Sequence, residues 1–121
     1  MTVEKCSRLL PSWKSFVQRG DVVELRLPKG VGHEQRGQRF GVVVQSDALL
    51  PRSVVLIAPT STNAKHSSFR PEVEILGERT KVLVEQIAAL DIGRLGKIVS
   101  NLHGDAMWNI DDALRTVLGL A

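Results

Sequence analysis

Two apolar runs, Phe40-Gly-Val-Val-Val-Gln45 and Ser53-Val-Val-Leu-Ile-Ala58, constrain this chain more than any other feature. They are short, rich in β-branched side chains and bounded by turn residues, which suits buried strands rather than helices. The pattern around them stays β. Val22-Val-Glu-Leu-Arg-Leu27 reads as a strand stopped by Pro28, and Glu72-Val-Glu-Ile75 alternates as a half-exposed strand that turns near Gly77. Thr80-Lys-Val-Leu-Val-Glu85 reads as another strand, Gln86 to Asp91 as a loop or bend, and Gly96 to Leu102 as a final strand. Beyond Asp105, a fair helix cap, the period changes. Met107, Ile110, Leu114, Val117 and Leu118 recur at helical spacing, with Asp111 and Asp112 toward the helix start. About five to seven short strands with a closing helix predict a mainly β (α+β) fold, a small and strongly curved antiparallel sheet or barrel.

The 121 residues suit one domain with a modest core. Residues 1–19, interrupted by Pro11, read as an N-terminal extension, and residues 20–121 as the domain. No apolar run approaches the roughly 18 residues of a membrane span, and the start lacks a signal-peptide core. Cys6 is the single cysteine, so no internal disulfide and no cysteine metal cage can form. A cytoplasmic placement without membrane attachment is expected. The formal charge of +3 permits a polyanionic partner.

The chemistry flanks the two valine-rich runs. The loop Lys29 to Gln38 is broken by Gly30, Gly32 and Gly37, carries His33, Glu34, Gln35 and Arg36, and delivers Arg39 to the start of a strand. A guanidinium stays charged and presents five donors, so Arg39 can clamp a phosphate and stabilise extra charge on pentacoordinate phosphorus. Its plainer role is to anchor a strand end. The next apolar run delivers Thr60, Ser61 and Thr62, hydroxyls that either bind a phosphate or close a turn. His33 and Glu34 are both able to move a proton, and the sequence does not choose between them. His66 and His103 are the other histidines, and nothing in their spacing brings two together. One basic group comprises Arg26, Lys29, Arg36 and Arg39, and a second comprises Lys65, Arg70, Arg79 and Lys81. Phe40 and Phe69 beside them either stack on bases or fill core. Metal-ligand spacings, a Walker loop, a Rossmann fingerprint and a nucleophile elbow are all missing, so no metal or cofactor is expected.

Four pieces in order, Gly32-His-Glu-Gln-Arg-Gly-Gln-Arg39, Ile57-Ala-Pro-Thr60, Val84-Glu-Gln-Ile87 and Leu90-Asp-Ile-Gly-Arg-Leu95, resemble the MazF/PemK family of ribonuclease toxins from toxin–antitoxin pairs. The resemblance covers about residues 20–119. It implies an SH3-like barrel with a C-terminal helix, a homodimer, a cognate antitoxin, and metal-independent, sequence-selective cleavage of single-stranded RNA. In that chemistry the RNA 2′-hydroxyl attacks its neighbouring phosphate, leaving a 2′,3′-cyclic phosphate and a 5′-hydroxyl. The family's catalytic arginine and threonine fall on Arg39 and Thr60. Glu34 joins them as a proton-transfer candidate. His33, Gln35, Arg36, Phe40, Ser61, Lys65 and Gln86 are the expected RNA-binding residues. The chain departs from the family pattern at Phe40, where many members have proline, and at His33, where many have serine.

Two other function classes compete. Gyrase-binding toxins of the CcdB type share the fold but end in a tryptophan-containing tail, whereas Trp108 lies inside the expected helix and the chain ends Leu118-Gly-Leu-Ala121. A non-catalytic nucleic-acid-binding barrel would need only the basic loops and phenylalanines.

Overall fold

The longest strand organises the molecule. In the computed structural model, which describes residues 17–26, 39–50 and 52–120, strand β3 runs from Val54 to Ser61 and touches three other strands. The others are β1 (Asp21–Leu25), β2 (Arg39–Val43), β4 (Glu72–Ile75), β5 (Glu78–Val82), β6 (Ala88–Asp91) and β7 (Leu95–Asn101). Helix α1 spans Asp105–Leu118 and ends the chain. The sheet order is β4-β5-β3-β2-β1-β7, with β6 also on β3, and every pairing is antiparallel. The result is the expected mainly β half-barrel with a C-terminal helix.

Strand parity separates two cores. Along β3, Val55 and Ile57 point to one side and join Val23, Val43, Leu95 and Val17. Ala58 points to the other side, with Val22, Val42, Val73, Val82 and Val84, and α1 covers this cluster with Ile110 and Ala113. Because side chains alternate, β2, which feeds both cores through Val42 and Val43, has to be apolar on both faces; β3, expected to be buried, feeds both only from Ile57 on and leaves Val54 and Leu56 44 and 39 % exposed. Gly41 is needed at the β2–β3 contact, since a Cβ there would lie 2.4 Å from Ile57 Cγ2.

Residues 17–20, ahead of β1, belong to the fold. Val17 is buried, and Arg19 ties the first turn to the rest. Its Nε donates to the Val44 carbonyl at 2.9 Å, and its Nη2 pairs with Asp111 on α1 at 2.5 Å.

Four local expectations change. Residues 88–91 form strand β6 rather than a bend, pairing Val54 with Asp91 and Leu56 with Ala89. The strand expected over 80–85 stops at Val82, and Val84–Gln86 forms a 3-10 turn that carries the chain from β5 to β6. The helix cap is Gly104, which has no side chain to offer, and Asp105 instead occupies the first turn, where its charge meets the helix dipole. At the other end Gly119 adopts the left-handed conformation (φ 71°), and the amides of Gly119 and Leu120 close on the carbonyls of Thr116 and Arg115. Leu118 is 53 % exposed rather than buried. No helix among the described residues is long and apolar enough to cross a membrane.

Candidate active site

Arg39 opens β2 and Ser61 closes β3, so the antiparallel pair brings both to one end of the sheet. The register is Gly41 with Pro59, Val42 with Ala58 and Val43 with Ile57. Continued by two residues, it sets Phe40 against Thr60 and Arg39 against Ser61. The Thr60 hydroxyl accordingly donates to the Phe40 carbonyl at 3.1 Å. Thr60 is 5 % exposed and shares its face with Val82, its partner on β5. Ser61 points the opposite way, to the side of Arg39, and pairs with Lys81. Thus Arg39 and Thr60 are neighbours on adjacent strands whose side chains leave opposite faces, and the hydroxyl on the arginine's own face is that of Ser61.

The Ser61 Oγ accepts from the Asn63 amide at 3.2 Å, which opens the β3–β4 loop. That loop carries Lys65 and His66, both exposed. Arg70 fastens it from within. Its Nε and Nη2 donate to Glu85 Oε2 at 3.0 and 2.7 Å, and its Nη1 donates to the Lys65 carbonyl at 3.1 Å. The guanidinium lies 5.8 Å from the centroid of the Phe69 ring. Burial pushes the Glu85 carboxyl up, but the hydrogen bonds and charge of Arg70 outweigh it and hold the group below its ordinary value. Gln86, exposed, ends the 3-10 turn, which is anchored to β3 by the Leu83 amide on the Pro59 carbonyl at 2.8 Å.

Phe40 is half-buried and packs against the α1-side core, as does Phe69. His33, Glu34, Gln35 and Arg36 lie outside the described residues; their segment leads into Arg39. His66 follows β3 at the Arg39 end of the sheet. His103 follows β7, whose Asn101 pairs with Asp21 at the opposite end, so these two histidines do not form an acid–base pair. Among the described residues no group of three His, Cys, Asp or Glu is placed to hold a metal ion. A depression of about 630 Å³ lined by Ala48, Leu49, Arg52 and Val54 opens at the start of β3, away from Thr60.

The sequence groups Lys81 with other basic residues but does not show its position beside Ser61. It does not show the Arg70–Glu85 pair either, because the partners are fifteen residues apart and meet only through the β5 return.

Comparison with known proteins agrees with this architecture. The family described as PemK-like, MazF-like toxin of type II toxin–antitoxin systems matches residues 18–118. A Mycobacterium tuberculosis (strain H37Rv) relative, the candidate toxin Rv3098A, is 44 % identical over 90 residues, covering 74 % of this chain and 84 % of its own. Among solved structures, the M. tuberculosis toxin MazF-mt6 superposes with a TM-score of 0.70 at 14 % identity, over 84 % of this chain and 98 % of that one. An endoribonuclease in complex with its cognate antitoxin, from a mycobacterial species, superposes at 0.69 with 21 % identity, over 87 % and 97 %. At these identities the two structures speak to the fold.

Proposed function

Because the chain belongs to the PemK-like, MazF-like toxins of type II toxin–antitoxin systems, a family of ribonucleases, we propose that it is a sequence-specific endoribonuclease acting on single-stranded RNA. The observation that supports the reading is that Arg39 and Ser61 share one face at the end of the β2–β3 pair, while Thr60, from the other face, clamps the backbone beside the arginine. The RNA 2′-oxygen bonds to the adjacent phosphorus as the bond to the 5′-oxygen breaks, giving a 2′,3′-cyclic phosphate and a 5′-hydroxyl. The nucleophile belongs to the substrate, so the protein need not activate water and requires no metal. Its tasks are alignment, charge stabilisation and proton transfer.

Arg39 stabilises the charge that grows on the phosphoryl oxygens. The Ser61 hydroxyl stands on the same face, and its O–H can donate to a non-bridging oxygen while its oxygen keeps the Asn63 amide. Thr60 holds the backbone at Phe40, the residue next to Arg39, and contributes its hydroxyl to the phosphate only by leaving that carbonyl. Glu34 or His33 takes the 2′-hydroxyl proton, since a guanidinium is too weak a base, and Arg39 gives a proton to the departing 5′-oxygen and regains one from solvent. Lys65 and Gln86 are the exposed contacts offered to the RNA, with Gln35 and Arg36 as further RNA-binding residues, whereas the Phe40 ring packs into the α1-side core on the face away from Arg39. The protein works as a homodimer, and a cognate antitoxin neutralises it, as the complex of the mycobacterial endoribonuclease suggests.

The test is incubation of the purified protein with a mixed single-stranded RNA pool in EDTA, beside Arg39→Ala and Thr60→Ala, with mapping of the new ends. Discrete cuts with 5′-hydroxyl ends from the wild type, lost in Arg39→Ala, are expected. Intact RNA with folded, antitoxin-free protein would overturn the reading and turn attention to gyrase or to binding without chemistry.

A further inference from the structure

We propose that Lys81 is a further contact for the RNA backbone, forming with Arg39 and Ser61 a row of phosphate-binding groups across three strands. The proposal rests on the ribonuclease reading above and extends its site.

The β3–β5 register sets Ser61 opposite Lys81 and Thr60 opposite Val82. Thr80 and Val82 are buried, so Lys81 between them points to the other face, the face of Ser61 and Arg39. Adjacent strands lie about 4.8 Å apart, so two steps place the Arg39 and Lys81 backbones on the order of 10 Å apart with the serine between them. That spacing lets two long cationic side chains bracket one phosphodiester or hold successive ones.

Among the described residues, no hydrogen bond takes up the donors of the Lys81 ammonium. It lies 3.7 Å from Glu72 Oε2, too long for a hydrogen bond, while Glu72 Oε1 accepts from Arg79 at 2.7 Å. An ammonium has three donors and no acceptor. The Lys81 side chain is only 17 % exposed, its stem lying along the sheet, whereas that of Arg79 is 73 % exposed. Glu72, held below its ordinary carboxylate value chiefly by the hydrogen bond from Arg79, keeps its charge and steadies the lysine without satisfying it. Arg79 lies two pairing steps farther along β5, opposite Glu74, and has its own partner in Glu72. Lys81 is thus the cation of the second basic group that the strand pairing aligns with Arg39.

The experiment compares wild type, Lys81→Met, Lys81→Arg and Arg79→Met. Each binds an oligonucleotide spanning a mapped cleavage site and carrying one 2′-deoxy sugar at the scissile position, which removes the attacking hydroxyl. Affinity is measured across a potassium chloride series. A phosphate contact in single-stranded nucleic acid contributes about 0.7 to the slope of log K against log salt. Lys81→Met is expected to lower the slope magnitude by about 0.7 and to weaken binding alike for different sequences, with Lys81→Arg retaining the slope. Arg79→Met removes the same charge and the closer Glu72 contact, yet is expected to leave the slope unchanged. An unchanged slope in Lys81→Met, or equal losses in Lys81→Met and Arg79→Met, would overturn the proposal while leaving the ribonuclease reading intact. Wild-type protein that neither cuts RNA nor binds the oligonucleotide would overturn both.

Discussion

Thr60 on β3 donates its hydroxyl to the carbonyl of Phe40 on β2, at 3.1 Å, and so clamps the backbone immediately beside Arg39. The clamp is buried, where an unmade hydrogen bond costs more than in water. A threonine at this position is therefore a structural element of the arginine's mounting as well as a candidate for the chemistry.

Replacing Thr60 with valine keeps the shape and deletes the donor. Thr60→Val is expected to lower stability by about 1 kcal/mol, because the Phe40 carbonyl loses its partner. Single-turnover cleavage should fall by roughly tenfold or more, the usual scale for a lost charge-stabilising or positioning contact. Thr60→Ser retains the hydroxyl and should recover most of both. Urea melts beside cleavage time courses check the pair. Full activity in Thr60→Val would mean that neither the clamp nor the hydroxyl matters to the reaction.

The Arg70–Glu85 pair should be visible in acid. Glu85 has a folded-state pKa below its ordinary 4.5, so its contribution is complete above that value and is lost as pH falls through the lower folded one. Its side chains are 23 and 24 % exposed, so the pair is neither a surface bridge nor fully desolvated. Glu85→Gln and Arg70→Met are expected to cost about 1–2 kcal/mol near neutrality. Both should also flatten the fall in stability on the acid side of pH 4.5, read by urea midpoints across pH. Because Arg70 also holds the Lys65 carbonyl, Arg70→Met should raise the KM for RNA more than it lowers kcat.

What the sequence reveals follows from what each residue must satisfy. The run at Phe40 is legible because a strand buried on both sides admits hardly any polar side chain, whereas the run at Ser53 reads as buried although Val54 and Leu56 are exposed. The helix is legible from its spacing: Ile110 is buried and Met107, Leu114 and Val117 are half-buried as that stripe expects, while Ala113, buried on the same face, is too small to mark it in the sequence. Leu118 is misassigned because it stands about a quarter-turn from the centre of that stripe, on the helix flank. Strand β6 is hidden because Ala88 and Ala89 are exposed and Leu90 is only half-buried, so its pairing with β3 leaves no hydrophobic signature. At the site, the residues on and between the two strands are readable, but their sidedness is not. Whether Thr60 or Ser61 shares a face with Arg39 depends on the β2–β3 register, which the sequence does not state.

Leu76 offers a gain rather than a loss. It sits at the tip of the β4–β5 hairpin with φ 52°, followed by Gly77 at φ 82°, and its side chain is 65 % exposed. A branched side chain at positive φ costs energy, and an exposed one gains little packing in return. Asparagine before glycine is the favoured pair for such a turn. Leu76→Asn is expected to stabilise the protein by about 0.5–1 kcal/mol, seen as a higher urea midpoint at unchanged slope. RNA cleavage should be unaffected, since the hairpin tip lies at the far end of β5 from Lys81 and the β3 end.

Gly41 tests how closely the two site strands must approach. A Cβ there would meet Ile57 Cγ2 at 2.4 Å and the Leu25 methyls at 3.1 and 3.2 Å. Those neighbours come from β3 and β1, on either side of β2, so the extra methyl cannot be relieved by moving β2 toward one of them. Gly41→Ala is expected to destabilise by about 1–3 kcal/mol through overpacking, measured by denaturant unfolding. The strain falls between Arg39 and the paired segment Val42–Val43, so cleavage should also drop under conditions where the variant is fully folded. Ile57→Ala in the same protein removes the closest clash. If overpacking is the cause, the double variant will be more stable than the sum of the single losses predicts, a coupling that a double-mutant cycle resolves.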